Sequence, residues 1–406
     1  MKLFAKLVCL ILALVMVTGC GLIADAPADD KATKPQGGTV IFGGDNENGI
    51  YISSGKLDEL MDLVEEKFIG ESDRAAMEDA AAAAIVESLG DRWSYYIPAS
   101  QMQDYNDTMS NSYVGIGITI QVREDEQGFD IAKVEKNGPA YEAGIQPGDI
   151  LIGADGTNLA GKTTDEAATL VKGEEGTTVE ITVKRDGKDL TFTVERRTIE
   201  VTVAEARMLP GNIGVVLINN FDARCASETI ACIESLIAQG ATSLIFDVRY
   251  NPGGYAHEMV ELLDYLLPEG ELFITEDYLG NRQVDSSDAN CLDMPMVVLV
   301  NEDSYSAAEF FASALRDYEW ATVVGGKTIG KGYFQQALML SDGSAVNLSV
   351  GKYYTRSGIS LAEQGGLTPD VPVEVDEEMY MNIYYGTVAD ADDPQLQAAV
   401  KVLTQK

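Results

Sequence analysis

The spacing of apolar residues changes twice along this chain, from helical to alternating to a mixture of both. That succession calls for two or three separately packed domains within its 406 residues. Leu57, Leu60, Met61, Val64 and Phe68 recur at helical intervals, and an alanine-rich second helix is predicted over 74–89, stopped by Gly90. From Tyr113 the period becomes two. Gly115-Ile-Gly-Ile-Thr-Ile-Gln-Val122 reads as one half-buried strand, with further short strands at 129–134, 150–152, 179–183 and 190–194. Thr163-x-x-Glu166 is a capping box opening a helix through Leu170 and Val171, and Asp186-Gly187 turns a hairpin. After Val201, apolar strands at 213–218, 244–248, 296–300 and 322–324 alternate with helical runs at 226–238, 257–267 and 307–315. This is the pattern of an α/β core, a mixed and mostly parallel sheet with covering helices.

The N-terminus has its own logic. Lys2 and Lys6 precede an apolar run over 7–17 that is too short to span a bilayer and ends in Val17-Thr18-Gly19-Cys20. This resembles a bacterial lipobox, with residues 1–19 removed and Cys20 lipidated, and implies a protein held by lipid on the outer face of the plasma membrane, in the cell envelope. Residues 20–55 read as a tether and turn segment, 56–110 as a small helical N-terminal subdomain, 111–198 as a β-rich module and 199–406 as the α/β core. A formal charge of −36 excludes the basic footprint that nucleic acid requires and opposes electrostatic binding to anionic lipid. With one histidine and scattered thiols there is no familiar metal-ligand cluster, so neither metal nor cofactor is expected. Cys225, Cys232 and Cys291 are read as buried small hydrophobes.

The single histidine, His257, also restricts hydrolytic chemistry, because a Ser-His-Asp site needs an imidazole base. His257 itself reads as a helix-surface residue. Ser306 falls where the strand ending at Val300 gives way to a helix from Ala307. A hydroxyl there projects from the sheet edge over helix N–H groups, which suits a nucleophile and equally suits a plain N-cap at Ser304 or Ser306. Lys331 stands alone between Gly330 and Gly332, as a base or as a surface-turn lysine. Asn251-Pro-Gly-Gly254 ends a strand in a turn whose N–H groups could form an oxyanion hole or simply connect strand to helix.

Taken together, Asp247-Val-Arg-Tyr-Asn-Pro-Gly-Gly254, Asn301-Glu-Asp-Ser-Tyr-Ser-Ala-Ala-Glu309 and Gly330-Lys-Gly-Tyr-Phe-Gln335 resemble the carboxyl-terminal processing (tail-specific) proteases of peptidase family S41. Gly115-Ile-Gly-Ile118 and Gly138-Pro-Ala-x-x-Ala-Gly-Ile-x-Pro-Gly-Asp-x-Ile-Leu151 resemble a PDZ domain, which that family carries between a helical segment and its catalytic core. Leu89-Gly-Asp-Arg-Trp-Ser-Tyr-Tyr96, Asp342-Gly-Ser-Ala345 and Gly366-Leu-Thr-Pro-Asp370 are similar to further family segments.

The resemblance implies a serine endopeptidase with Ser306 as nucleophile, Lys331 as general base, Gln335 orienting the lysine, and backbone N–H groups of Gly253 or Gly254 and Ala307 as the oxyanion hole. It also implies that the loop of Gly115, Ile116, Gly117 and Ile118 binds the C-terminal carboxylate of a protein or peptide substrate with an apolar C-terminus. A lysine base must be neutral near pH 7, which means a fall of roughly three units from ~10.4 in an apolar pocket with no adjacent carboxylate. Tyr305, Tyr333 and Phe334 stand where the family has smaller residues, so the pocket is expected to be reshaped. Those aromatics also motivate an alternative, a PDZ-bearing peptide-binding or chaperone-like lipoprotein with an inactive core. A penicillin-recognising Ser-Lys amidase fits poorly, since Glu309 stands where its lysine would be. The sequence is compatible with a homo-oligomer or an activating partner and decides neither.

Overall fold

The computed structural model describes residues 55–123, 127–136 and 138–405. The signal peptide 1–19, Cys20 and all but the last residue of the 20–55 tether lie outside them. The chain divides into two compact units, residues 1–74 and 75–406. In the first, the helix Lys56–Lys67 presents Asp62 and Glu65 to the Arg74 guanidinium, each at 2.8 Å. The division falls at the start of the helix Arg74–Glu87, so the stretch 56–110 expected as one helical subdomain is split. Most of that helix, and Met102–Met109 after it, belong to the second unit.

The second unit is built on a six-stranded sheet in the order Ala204–Leu209, Ile213–Ile218, Ser243–Asp247, Met296–Val300, Ala321–Gly325, Val371–Pro372. Only the first pair is antiparallel. Its central strands are buried on both faces, which is why they read as unbroken apolar runs. The pleat divides them. Leu244, Phe246, Met296, Val298 and Val300 pack on the helices Cys225–Ala238, Ala256–Leu266 and Ala307–Asp317. Ile245, Val297 and Leu299 face Leu396 and Ala399 of the C-terminal helix Pro394–Thr404.

The β-rich module closes over its own core, with Leu151, Ile181 and Val183 fully buried. The Thr163 capping box is formed in both directions, and Asp186 and Gly187 both take positive φ in the hairpin. The strand expected over 115–122 is two strands in two sheets. Ser112–Gly115 pairs with Arg197–Glu200, whereas Ile118–Val122 pairs with Phe129–Val134. The break is at Gly117, whose φ of +81° a regular strand cannot hold. The ribbon made by the first pair leads into the core, and the Arg224 guanidinium pins its roots by donating to the carbonyls of Ser110, Asn111 and Val201.

A further antiparallel sheet is not foreshadowed by the sequence pattern. Ala345–Thr355 pairs with Tyr95–Ile97, Tyr333–Met339 and Gly270–Asp277, the last joined by Arg282–Ser287. Residues that precede the β-rich module are thereby built into the core that follows it. Of the three cysteines expected to be buried, Cys225 is; Cys232 is half-buried and Cys291 exposed, and all three are free.

Candidate active site

Ser306 is buried, at φ 58° and ψ −125°, between the strand Met296–Val300 and the helix Ala307–Asp317. Only a tightly determined turn holds a non-glycine residue there, at a cost of ~1–3 kcal/mol. The determinants are visible. Ser304 Oγ donates to Val248 O and accepts from Asn301 N–H, Tyr305 N–H donates to Asn251 O, and Ser306 N–H donates to Glu309 Oε2 at 3.1 Å.

Glu309 is fully buried and joins the two halves of the site. Its Oε1 accepts from the Thr328 hydroxyl and from Gly330 N–H at 2.8 Å; its Oε2 accepts from Ser306 N–H and from Lys331 N–H at 2.8 Å. Burial pushes the carboxyl above its ordinary range, while these four donors favour the ionised form. One carboxylate thus clamps the main chain at both Ser306 and Lys331. The sequence carried a signal for it, since Ser306-Ala-Ala-Glu309 has capping-box spacing.

Lys331 lies in the loop between the strands Ala321–Gly325 and Tyr333–Met339. Burial of the amine lowers its pKa to about 8; Asp91 and Glu309 pull it upward and Arg92 pushes it down. The expectation of a site without an adjacent carboxylate is corrected by Asp91 and Glu309. Their charges keep the ammonium from being destabilised further. Nζ makes no hydrogen bond to Ser306 Oγ; it rests 4.7 Å from the centre of the Trp93 ring.

The Asn-Pro-Gly-Gly turn is braced from the far end of the chain. Arg249, buried, pairs with Asp247 at 2.6 Å, with Asp393 at 2.9 Å and with Gln395 Oε1 at 3.1 Å. Gly253 N–H donates to Asn251 Oδ1 at 2.8 Å, so it is not free to receive an oxyanion. Among the described residues, the N–H groups of Gly254 and Ala307 carry no such bond, and both residues line the same pocket as Ser306. Gly253 serves by being small. At φ +90°, a Cβ on it would lie 2.7 Å from Ser306 Cβ and 2.9 Å from Ala307 N. Gly253→Ala is expected to displace the turn and lower kcat/KM for a peptide by about 100-fold, measured beside a thermal melt showing a folded protein.

Gln335 is not brought to the lysine. Its amide donates to Tyr333 O at 3.1 Å and to Ser349 Oγ at 3.0 Å, within its own sheet. His257 is 71% exposed and its nearest ring neighbour is Tyr255. Beside Ser306, a narrow pocket is walled by Ala256, Met259, Phe273, Phe310 and Tyr353. Phe334 packs against Tyr353 at 5.1 Å, so one of the unusual aromatics backs this wall, while Tyr333 remains exposed. In the β-rich module, Gly115, Ile116, Gly117 and Ile118 line a second cleft together with Leu151, Val171 and Lys172, whose ammonium pairs with Asp104 at 3.0 Å.

The PDZ domain profile matches residues 114–195 and that of Peptidase family S41 matches residues 212–373. The "Probable CtpA-like serine protease" of Staphylococcus haemolyticus is 33% identical over 301 residues, 73% of this chain and 60% of its own length. The "Carboxy-terminal processing protease CtpA" of Bacillus subtilis is 31% identical over 323 residues, 79% of this chain and 69% of that protein. The chain belongs to peptidase family S41. It carries a PDZ domain, is similar to relatives named as carboxy-terminal processing or CtpA-like proteases, and spans about 60% of the length of the staphylococcal ones. An S41 protease structure from Bacteroides fragilis shares the fold, with a TM-score of 0.53 at 18% identity over 88% of this chain and 99% of that one. The S41 match ends before Asp393 and begins after Asp91 and Trp93, so groups acting on the turn and on the lysine lie outside the matched segment.

Proposed function

We propose that this chain is a lipid-anchored, extracytoplasmic serine endopeptidase that selects proteins by their C-termini and cleaves them through a Ser306–Lys331 dyad. The observation that carries the reading is the Glu309 clamp, which ties the main chain of a strained serine to that of a lysine with a lowered pKa. In this reading the neutral Lys331 amine takes the Ser306 hydroxyl proton as Oγ bonds to the scissile carbonyl carbon. The oxyanion is received by the N–H groups of Gly254 and Ala307. The lysine proton then passes to the leaving nitrogen, the C–N bond breaks, and an acyl-enzyme remains. Water, deprotonated by the same amine, releases it. The apolar walls beside Ser306 suit a small apolar residue before the cleaved bond. The PDZ cleft suits an apolar C-terminal residue, with the Gly115–Ile118 loop receiving its carboxylate. Anchoring by lipid at Cys20 rests on Lys2, Lys6 and the apolar run before that cysteine.

The absence of a hydrogen bond between Lys331 and Ser306 favours one second reading, a PDZ-bearing peptide binder with an inactive core. A fluorophosphonate probe separates the two. The peptidase is expected to be labelled at Ser306, at a rate that rises with pH and levels off above about 8, as the amine loses its proton. No adduct at Ser306, with a C-terminal peptide still bound, would establish the binder.

A further inference from the structure

The segment 91–94 precedes the PDZ domain, and beyond the charges of Asp91 and Arg92 it also brings the Trp93 ring to the proposed base. The Asp91 carboxylate accepts from Trp93 N–H at 3.1 Å and from the Ser94 hydroxyl at 2.6 Å, and Ser94 Oγ accepts from Ser349 N–H at 2.9 Å. The strand Tyr95–Ile97 then pairs with Ala345–Thr355. This frame fixes the Trp93 indole beside Lys331, whose Nζ lies 4.7 Å from its ring centre and 5.9 Å from that of Tyr305. The two rings are 5.6 Å apart and tilted by 35°, and Nζ has no hydrogen-bond partner among the described residues.

We propose that Trp93, assisted by Tyr305, is a positioning residue for the Lys331 amine: the indole face holds the ammonium off Ser306 in the peptide-free enzyme and lets it go on deprotonation. The inference rests on Lys331 being the base. An aromatic face attracts an ammonium through its quadrupole and has no such hold on a neutral amine. The same face that shields Nζ from water therefore favours its charged form, against the effect of burial. The other groups facing Nζ are Asp91 and Glu309, which favour the charge, and Arg92, which opposes it from 4.2 Å off the same indole. Tyr305 adds a ring whose hydroxyl burial keeps protonated. Tyr305 thereby forms a second aromatic wall beside the amine.

The test is the acid limb of kcat/KM for a quenched-fluorescent peptide with an apolar C-terminus, in full-length Trp93→Phe, Trp93→Leu and Trp93→Ala. Leucine keeps the site dry without a π face, and a lost cation–π contact is expected to lower the limb by about one pH unit, raising kcat/KM below it by up to about tenfold. Phenylalanine is expected to leave the limb within about 0.3 unit, and alanine, which admits water, to raise it. A limb in Trp93→Leu that stays in place, or rises as in Trp93→Ala, overturns the proposal. Direct ¹⁵N titration of the Lys331 amine in Ser306→Ala, with and without Trp93→Leu, reads the same shift independently of turnover. If Lys331→Met retains activity and the limb, the base assignment itself fails. If Lys331→Met is inactive and Trp93→Leu does not shift, the base stands and the indole's role falls.

Discussion

Ser306→Ala and Lys331→Met are each expected to reduce kcat/KM for a C-terminally apolar peptide by about 10⁴-fold or more, with thermal melts near the parent's. Each change removes a group that acts only in the transition state, and the two should be far from additive. A double variant should be little slower than either single one, because without its base the hydroxyl is no nucleophile and without the hydroxyl the amine has nothing to deprotonate. Methionine at 331 keeps an unbranched chain of similar length beside Trp93 and Tyr305 while removing the amine, and the thermal melt tests for a collapsed loop. Ordinary turnover in either single variant would remove the dyad from consideration.

Glu309→Gln is expected to be the most damaging conservative change in the core. The carboxylate receives four hydrogen bonds, two at each oxygen, and an amide supplies one oxygen. In either orientation the new NH₂ group faces a backbone N–H. Turned toward Ser306 and Lys331 it leaves two donors unmet; turned toward Thr328 and Gly330 it leaves one and forces the Thr328 hydroxyl to rotate. An unmet buried donor costs about 1–3 kcal/mol, so urea unfolding should show a loss of about 2 kcal/mol or more. Fluorophosphonate labelling should slow by about 100-fold, because the clamp sets where Ser306 and Lys331 stand. Parent-like stability together with parent-like labelling would show that the clamp is dispensable.

What could be read in advance followed from local pattern. The strands Ile213–Ile218 and Met296–Val300 and the Thr163 capping box announce themselves within a few residues, because burial on both faces and a reciprocal cap leave plain sequence marks. Motifs single out Ser306 and Lys331, whereas the carboxylate that clamps both main chains is marked only by the capping-box spacing of Ser306 and Glu309. The antiparallel sheet leaves no such mark because strands such as Tyr333–Met339 are half-exposed, and Tyr95–Ile97 finds its partner, Ala345–Thr355, far along the chain. Gln335 was assigned by likeness and sits in a strand whose register turns its amide to Ser349. Asp91 and Trp93 reach the lysine from some 240 positions away, a distance no periodicity bridges. The expected 115–122 strand failed for the opposite reason: alternation persisted across a glycine that changes direction.

The brace on Arg249 reaches 146 positions forward, to Gln395 in the last helix. A ribosome delivers the Asn-Pro-Gly-Gly turn long before that helix exists. The growing chain therefore passes through a stage in which serine and lysine have both been made but the turn beside them lacks its support. On the proposed reading, the turn beside Ser306 gains its brace only once Asp393 and Gln395 have been made and packed, so the site would be completed late in synthesis.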